Sequence, residues 1–426
     1  MLNLPITRAT TNAKMKITLI NKSDTTGGAA IFTYRLMKAL RNSGIDAKLL
    51  VVEKLTNDPH VVSYSNPIKD KIAFISERLQ IFIANKLNRK YLFKVDTATF
   101  GRNIYHSTEI IEADIIILNW TNQGALSNKA IKKLCNTQKP ILWIMHDMWC
   151  CTGICHHAYD CLNYQDKCGN CQYLNSTSPT DLSHQVWKIK QALYANPNLH
   201  FIAVSHWLAN KCKLSSLLNN HEISVIPNTL PIQEFSYERR SNAEINLPDT
   251  KKILTIGAAR LDDPVKGFPL LIQTLKHITL NYPSLSNTIH LLLYGNIKNK
   301  QLLHEIPVAY TYLGKISPHQ IKDVLSHSDI ILSTSHYESF GGTLIEGLAA
   351  GCIPVSFDNG GQTDIIDHLQ NGYLATYPDT KDFAKGIHWA LSQNIERSAL
   401  HNSAAKKFSE EIIAKQYLSL ISKITT

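Results

Sequence analysis

An α/β protein built of two parallel-sheet domains is the fold class this sequence predicts, and three observations carry it. Short continuous apolar runs rich in Ile, Leu and Val recur along most of the chain. Runs without polar alternation are strands buried on both faces, as in parallel sheets. Helical patterns separate these runs, so the order reads strand, helix, strand. The series breaks once, at polar residues 229–250 with Pro231 and Pro248, and then resumes. At about 150 residues per domain, a 426-residue chain holds two or three domains.

In order, the first strand is Lys16–Ile20, preceded by Met15 and by a polar stretch, 1–14, that reads as a flexible tail. A loop ending in Gly27 and Gly28 leads into a helix over Ala29–Leu40. Its Phe32, Leu36, Ala39 and Leu40 share one side, and Gly44 stops it. Asp46–Val52, Ile115–Leu118, Ile141–Met145, Phe201–Val204 and Ile223–Ile226 are further strands of a first domain over 15–228. Beyond the linker 229–250 come strands at Ile253–Ile256, Leu291–Tyr294, Tyr310–Leu313, Ile330–Ser333 and Ile353–Phe357. Helices near 268–280, 318–326, 342–350 and 380–392 separate them, giving a second domain over 251–405. Residues 406–426 read as a last helix. Ligands of open α/β sheets bind at the C-terminal strand edges, so a cleft between two such sheets is the expected site.

Composition narrows the class. The chain is 44% hydrophobic and 18% charged, which is globular and excludes collagen, coiled coil and wholesale disorder. There is no run of 18 apolar residues and no apolar leader at the start, so the expected place is the cytoplasm. Lys and Arg number 44 against 34 acids, a formal charge of +10 that favours anionic partners. No nucleic-acid motif accompanies that charge, so nucleic acid is not an expected partner.

The most informative segment follows the strand Ile330–Ser333: Glu338-Ser339-Phe340-Gly341-Gly342-Thr343-Leu344-Ile345-Glu346. Glycines where a helix opens leave its N–H groups accessible, and such an N-terminus binds anions. Glu338 lies in the loop and Glu346 about one turn into the helix. Two carboxylates around a phosphate-binding turn suit a ligand that joins phosphate to a sugar, since carboxylates accept hydrogen bonds from vicinal hydroxyls. The bland alternative is two surface glutamates at a solvated helix start.

In its context the segment resembles the Glu-x7-Glu signature of retaining glycosyltransferases of family 4. These have the GT-B fold, two Rossmann-like domains facing each other across a cleft. Gly257-Ala258-Ala259-Arg260, followed by Asp263, Lys266 and Gly267, resembles the Arg and Lys-Gly elements that meet the donor pyrophosphate. Five residues separate Arg260 from Lys266 where four are usual. Gly351-Cys352-Ile353-Pro354 and Asn359-Gly360-Gly361 resemble the segments that follow. The likeness runs from Met15 to about residue 390 and is clearest in the second domain.

The resemblance implies roles residue by residue. Glu346 would hold the donor ribose and Glu338 the transferred sugar. Phe340, Gly341, Gly342 and Thr343 would line the sugar and phosphates. Lys266 and Arg260 would neutralise the pyrophosphate without a catalytic metal; ion pairs with Asp262 or Asp263 are the alternative for both cations. Gly27 and Gly28 match the first-domain loop near diphosphate and acceptor. His146 and Asp147, with Met148, Trp149, Thr152, Gly153 and Cys155, are similar to a subgroup that makes extracellular polysaccharides, colanic-acid-type transferases included. There the matching His contacts the donor sugar, and Asp147 falls on the acceptor side. The last helix, 406–426, would cross back onto the first domain. The implied reaction is retaining transfer of a hexose from a UDP- or GDP-linked sugar to a saccharide acceptor, lipid-linked, in surface polysaccharide synthesis. A sugar phosphorylase, an epimerase or a non-catalytic nucleotide-sugar or zinc-binding relative are the alternatives on the same fold.

Two features stand apart. Six of nine cysteines fall within 150–171, and Cys155-x5-Cys161-x6-Cys168-x2-Cys171 gives four thiols whose last pair has metal-ligand spacing. A structural zinc, with His156 or His157 able to replace one thiol, and four reduced buried cysteines are the two readings. The subgroup carries similar cysteines, but usually Tyr where His157 stands and Pro where Gln172 stands. Residues 68–94 carry seven Lys or Arg, two acids and apolar residues at helical spacing. Peripheral contact with an anionic membrane and a surface helix packed on the first domain both fit that pattern.

Overall fold

The structure, a computed structural model, describes residues 14–241 and 247–425; almost all of the expected tail and the middle of the expected linker lie outside the described residues. The first sheet contains β1 (Lys16–Ser23), β2 (Asp46–Glu53), β3 (Val61–Ser63), β4 (Ile115–Leu118), β5 (Ile141–Met145), β6 (Leu199–Ala203) and β7 (Ile223–Val225). All pair in parallel, in the order β3-β2-β1-β4-β5-β6-β7. The second contains β8 (Lys252–Arg260), β9 (Ile289–Asn296), β10 (Tyr310–Tyr312), β11 (Ile330–Ser333), β12 (Ile353–Phe357) and β13 (Tyr373–Ala375), in the order β10-β9-β8-β11-β12-β13. It too is parallel throughout. Strand order reverses between β1 and β4 and between β8 and β11, which are the switch points where such sheets bind ligands.

The central strands are buried along their whole length, β4, β5, β11 and β12 among them, and this is why they read as unbroken apolar runs. β3 and β13 are three-residue edges with no such run. β8 continues past Ile256 through a register shift between Gly257 and Arg260. Gly257 is required there, because a Cβ would stand 1.9 Å from the Tyr294 ring.

Two long helices set the domain boundary. Arg397–Phe408 stays with the second domain, where Arg397 donates to the Ser328 carbonyl at 2.7 Å. Glu410–Thr425 packs on the first domain, with Ile413 and Tyr417 beside Phe32, Leu36 and Ile144. The two chain crossings lie side by side, the Leu230 N–H donating to the Phe408 carbonyl at 2.8 Å. The helix Arg397–Phe408 ends beside that crossing.

The helix Pro67–Ala84 is capped by the Asn66 side chain and opens with Pro67, a residue suited to the first turn. It packs on the first domain through Ala73, Glu77, Arg78 and Ile81. Its spaced aliphatic residues face outward instead. The helix does pack on the first domain, but its inner side mixes Ala73 and Ile81 with Glu77 and Arg78, and most of its isoleucines lie outside.

Candidate active site

A cleft of about 680 Å³ lies between the C-terminal edges of the two sheets. The helix Gly28–Asn42 from the first domain and the helix Gly342–Ala349 from the second both open onto it. Each has a glycine N-cap, Gly27 with φ 90° and Gly341 with φ 113°, conformations that L side chains rarely adopt. Neither glycine has a side chain to satisfy the first-turn N–H groups. Two helix N-termini with unspent donors thus face one space, an arrangement suited to phosphate. Gly27, Gly28, Phe340, Gly341, Gly342 and Thr343 all line it.

Lys266 and Glu338 line the same wall and pair with each other, Nζ to Oε2 at 2.9 Å. Lys266 ends the single turn Pro264–Lys266, and Gly267 (φ 63°) then turns the chain against Thr334, where a Cβ would sit 2.0 Å from the carbonyl oxygen. The loop of Glu338 is pinned by the Gly361 N–H, which donates to its carbonyl at 2.8 Å. This gives the Asn359-Gly360-Gly361 segment its place behind the signature.

Two predicted residues stand elsewhere. Arg260 is outside the cleft wall, with Nε 3.3 Å from Asp262 and Nη2 3.3 Å from Asp263. That is the ion-pair arrangement, and it follows from the bulge in β8 that turns Arg260 toward its own loop. Glu346 is also off the wall and pairs with Arg35 of the first domain, Oε1 to Nη2 at 2.9 Å.

On the first-domain wall His146 follows β5. Its Nε2 lies 3.1 Å from Asn119 Oδ1. Burial pushes this imidazole down to about 4 against the pull of Asp147, so it is neutral near pH 7. A neutral ring bonded to an amide oxygen donates from Nε2, which leaves the Nδ1 lone pair as acceptor. Asp147 takes three hydrogen bonds: from the Trp149 N–H at 2.8 Å, from Trp120 Nε1 at 3.2 Å and from His156 Nδ1 at 2.8 Å. Burial works against the charge of Asp147, yet His156 outweighs it and lowers the carboxyl to about 2. Burial works against His156 as well, and Asp147 with Asp96 raises it to about 9. A buried imidazolium therefore fixes an aspartate on the cleft wall.

The four spaced cysteines share one loop. Burial raises the Cys155 thiol well above its ordinary value, and Cys171, Cys168 and Cys161 add to the rise. Cys168 Sγ accepts the Gly153 N–H at 3.2 Å. Among the described residues no three His, Cys, Asp or Glu side chains converge as a metal site. Lys190 holds the same loop: it is fully buried, and its Nζ donates to the carbonyls of Trp149 at 2.6 Å and Thr152 at 3.0 Å.

Several cleft residues carry no motif. Trp120 and Gln123 follow β4, and the rule that ligands bind past strand ends was the signal available for them. Lys22 ends β1 and also lines the cleft. His157 packs edge-on to Tyr337 at 4.6 Å, and its buried Nδ1 has no hydrogen-bond partner. Burial pushes it down to about 4.

Comparison with known proteins agrees with this geometry. In sequence, residues 238–407, which include the second domain, match the family model of glycosyl transferases group 1. The GDP-Man:Man(3)GlcNAc(2)-PP-Dol alpha-1,2-mannosyltransferase of Dictyostelium discoideum is 28% identical over 193 residues, 40% of this chain and 37% of that protein. The chain spans less than half the length of the first curated relatives it matches. In structure, sucrose-phosphate synthase from Thermosynechococcus elongatus superposes with a TM-score of 0.66 at 16% identity, covering 97% of this chain and 99% of that one. An Anabaena protein in complex with UDP and glucose gives 0.59 at 17% identity, covering 96% and 100%. The fold is GT-B, two parallel Rossmann-like domains about a cleft.

Proposed function

We propose that this chain is a retaining glycosyltransferase. It moves a hexose from a UDP- or GDP-linked sugar to a saccharide acceptor carried on a lipid, in the building of a surface polysaccharide. The observation that supports this reading most is the meeting of two uncapped helix N-termini with Lys266 and Glu338 in one interdomain cleft. The family match of the second domain supports transfer, and the relatives' printed names supply both donor classes, GDP-Man and UDP.

In the reaction the anomeric C–O bond to the diphosphate breaks, and a C–O bond to the acceptor oxygen forms on the same face. The acceptor proton passes to the departing phosphate oxygen. Negative charge grows on the diphosphate, and fixed donors aimed at that charge lower the barrier. Lys266 and the N–H groups opening at Gly28 and Gly342 are those donors, so the step proceeds without a catalytic metal. Lys266 leaves Glu338 to do so, which frees that carboxylate for the sugar hydroxyls. His146 presents Nδ1 as an acceptor for a sugar hydroxyl and positions it. Asp147, held ionised, serves the acceptor. Domain closure expels water from the anomeric centre.

Thermal unfolding with UDP and with GDP tests the reading. A nucleotide at about 100 times its Kd stabilises the folded chain by roughly 2.7 kcal/mol. The expected result is a rise with one nucleotide that Lys266→Ala abolishes. No rise with either nucleotide would overturn the donor site.

A further inference from the structure

We propose that the outer face of the helix Pro67–Ala84 docks on an anionic lipid bilayer and holds the first domain there, beside the cleft. The proposal rests on the lipid-linked acceptor only for its purpose; its geometry stands alone.

The helix leaves a continuous aliphatic stripe on its outer face. Ile68, Ile72, Ile75, Leu79 and Ile83 are exposed by 73, 59, 50, 53 and 60%. At 3.6 residues per turn these five fall within about 80° of arc and run about 22 Å along the axis. Single exposed aliphatics are ordinary, but a continuous stripe marks a contact surface. Rotation of the helix would bury the stripe, and the opposite face prevents it. Glu77 Oε1 accepts the N–H groups of Thr97 at 2.9 Å and Ala98 at 2.7 Å. Arg78 Nη2 stands 3.2 Å from Asp96. Turning the helix would strand these buried polar and charged groups, which costs more than leaving isoleucines exposed.

Charge selects the occupant. Lys69 and Lys71 flank the stripe on its two sides, and Lys86, Arg89 and Lys90 follow it, all exposed. The two acids of the segment are engaged, Asp70 with Arg102 at 2.8 Å and Glu77 inside. A second copy of the chain would set five cations against five. A bilayer with anionic headgroups meets both parts, acyl chains for the stripe and lipid phosphates for the lysines. The surface also has a reason to be here. Phe74, on the inner side, lies under Lys22 at 5.8 Å, and Lys22 lines the cleft. The helix and the Phe74 and Lys22 side chains thus stand between the bilayer contact and the cleft.

Flotation of the purified chain with vesicles tests this, using phosphatidylcholine alone and phosphatidylcholine with phosphatidylglycerol. The chain should float with the anionic vesicles, less as salt is raised, and scarcely with phosphatidylcholine alone. The triple variant Ile72→Ser, Ile75→Ser, Leu79→Ser should lose about tenfold or more in binding, as should Lys69→Glu with Lys71→Glu. The melting temperature and its rise with nucleotide should stay as in the wild type. Wild-type chain left behind by anionic vesicles, or a triple variant that floats as well as wild type, would overturn the proposal. So would a wild-type dimer, seen by sedimentation, that the triple variant dissolves without any vesicle binding. A nucleotide response without flotation removes the docking surface alone. Flotation without a nucleotide response removes the transferase reading alone.

Discussion

His156 controls the electrostatics of the first-domain wall. It stands between Asp147 at 2.8 Å and Asp96 at 3.7 Å, and it stacks on Trp120. Burial works against its charge, yet Asp147 and Asp96 together raise His156 to about 9. Beyond Asp96 lies Glu77, raised to about 8 by burial and then by Asp96 itself. Arg78 Nη2 stands beside both carboxylates, 3.2 Å from Asp96 Oδ2 and 3.7 Å from Glu77 Oε2. The pH consequence follows from where the proton sits. Folded His156 keeps its proton to about pH 9, and the unfolded chain releases it near 6.5. Its stabilisation is full below about pH 6.5 and is lost as pH rises through about 9, a loss on the order of 3 kcal/mol. Glu77, raised in the same way, loses stabilisation in the same direction. His156→Gln keeps a hydrogen-bond donor for Asp147 and removes the charge. Urea unfolding should show the wild type losing about 3 kcal/mol more than this variant between about pH 6 and pH 9.5. Parallel losses in the two proteins would mean that His156 is neutral.

At the scale of elements, the Cys-rich loop and the helix Leu182–Tyr194 form one unit joined by Lys190. Its Nζ lies 3.3 Å from the centre of the Trp149 ring and bonds two carbonyls. Met has nearly its shape and none of its donors. Lys190→Met should therefore strand both carbonyls and cost about 2–4 kcal/mol at pH 7, read by denaturant unfolding. Prolonged chelation separates the two readings of the four cysteines: a fall in melting temperature with release of zinc means a four-thiol site, and an unchanged one means reduced buried thiols. The same element shows where sequence is legible and where it is not. Strands such as Ile141–Met145 were plain because burial on both faces leaves only apolar residues. Glu338, Lys266 and the glycines of the two helix starts were legible because each sits in a turn with few chemical alternatives. Lys190 was not, since a lysine in a helix reads as surface and only the loop's carbonyls explain its burial. Periodicity found the stripe of Ile72 and Leu79 but could not tell which face turned inward, since partners distant in sequence, Asp96 and Thr97, decide it. Trp120 and His157 reach the cleft through the fold, without local pattern.

At the scale of the whole molecule, the two domains meet through the helix pair that forms the anion sites. Phe32 packs edge-on to Phe340 at 6.0 Å, and its ring fills the space where a Cβ on Gly342 would stand. Arg35 lies one turn further on, over the Phe32 ring, and reaches across to Glu346. Both side chains are only 13% exposed. The resemblance gives Glu346 to the donor ribose, yet here its carboxylate faces Arg35 and not the cleft. On the proposed reading a ribose competes with Arg35 for this carboxylate, and part of the nucleotide's binding free energy then goes into breaking the pair. Arg35→Ala removes that competitor. The free protein should lose about 2 kcal/mol of stability, the scale of a charged hydrogen bond. The nucleotide chosen in the unfolding screen should bind three- to tenfold tighter, up to about 1.4 kcal/mol, when titrated calorimetrically. Arg35→Ala combined with Glu346→Ala should show no such gain, because the carboxylate released by the first change is gone in the second. Weaker binding by Arg35→Ala alone would mean the reverse coupling, with Arg35 holding Glu346 ready for the ribose and nucleotide binding drawing the two domains together.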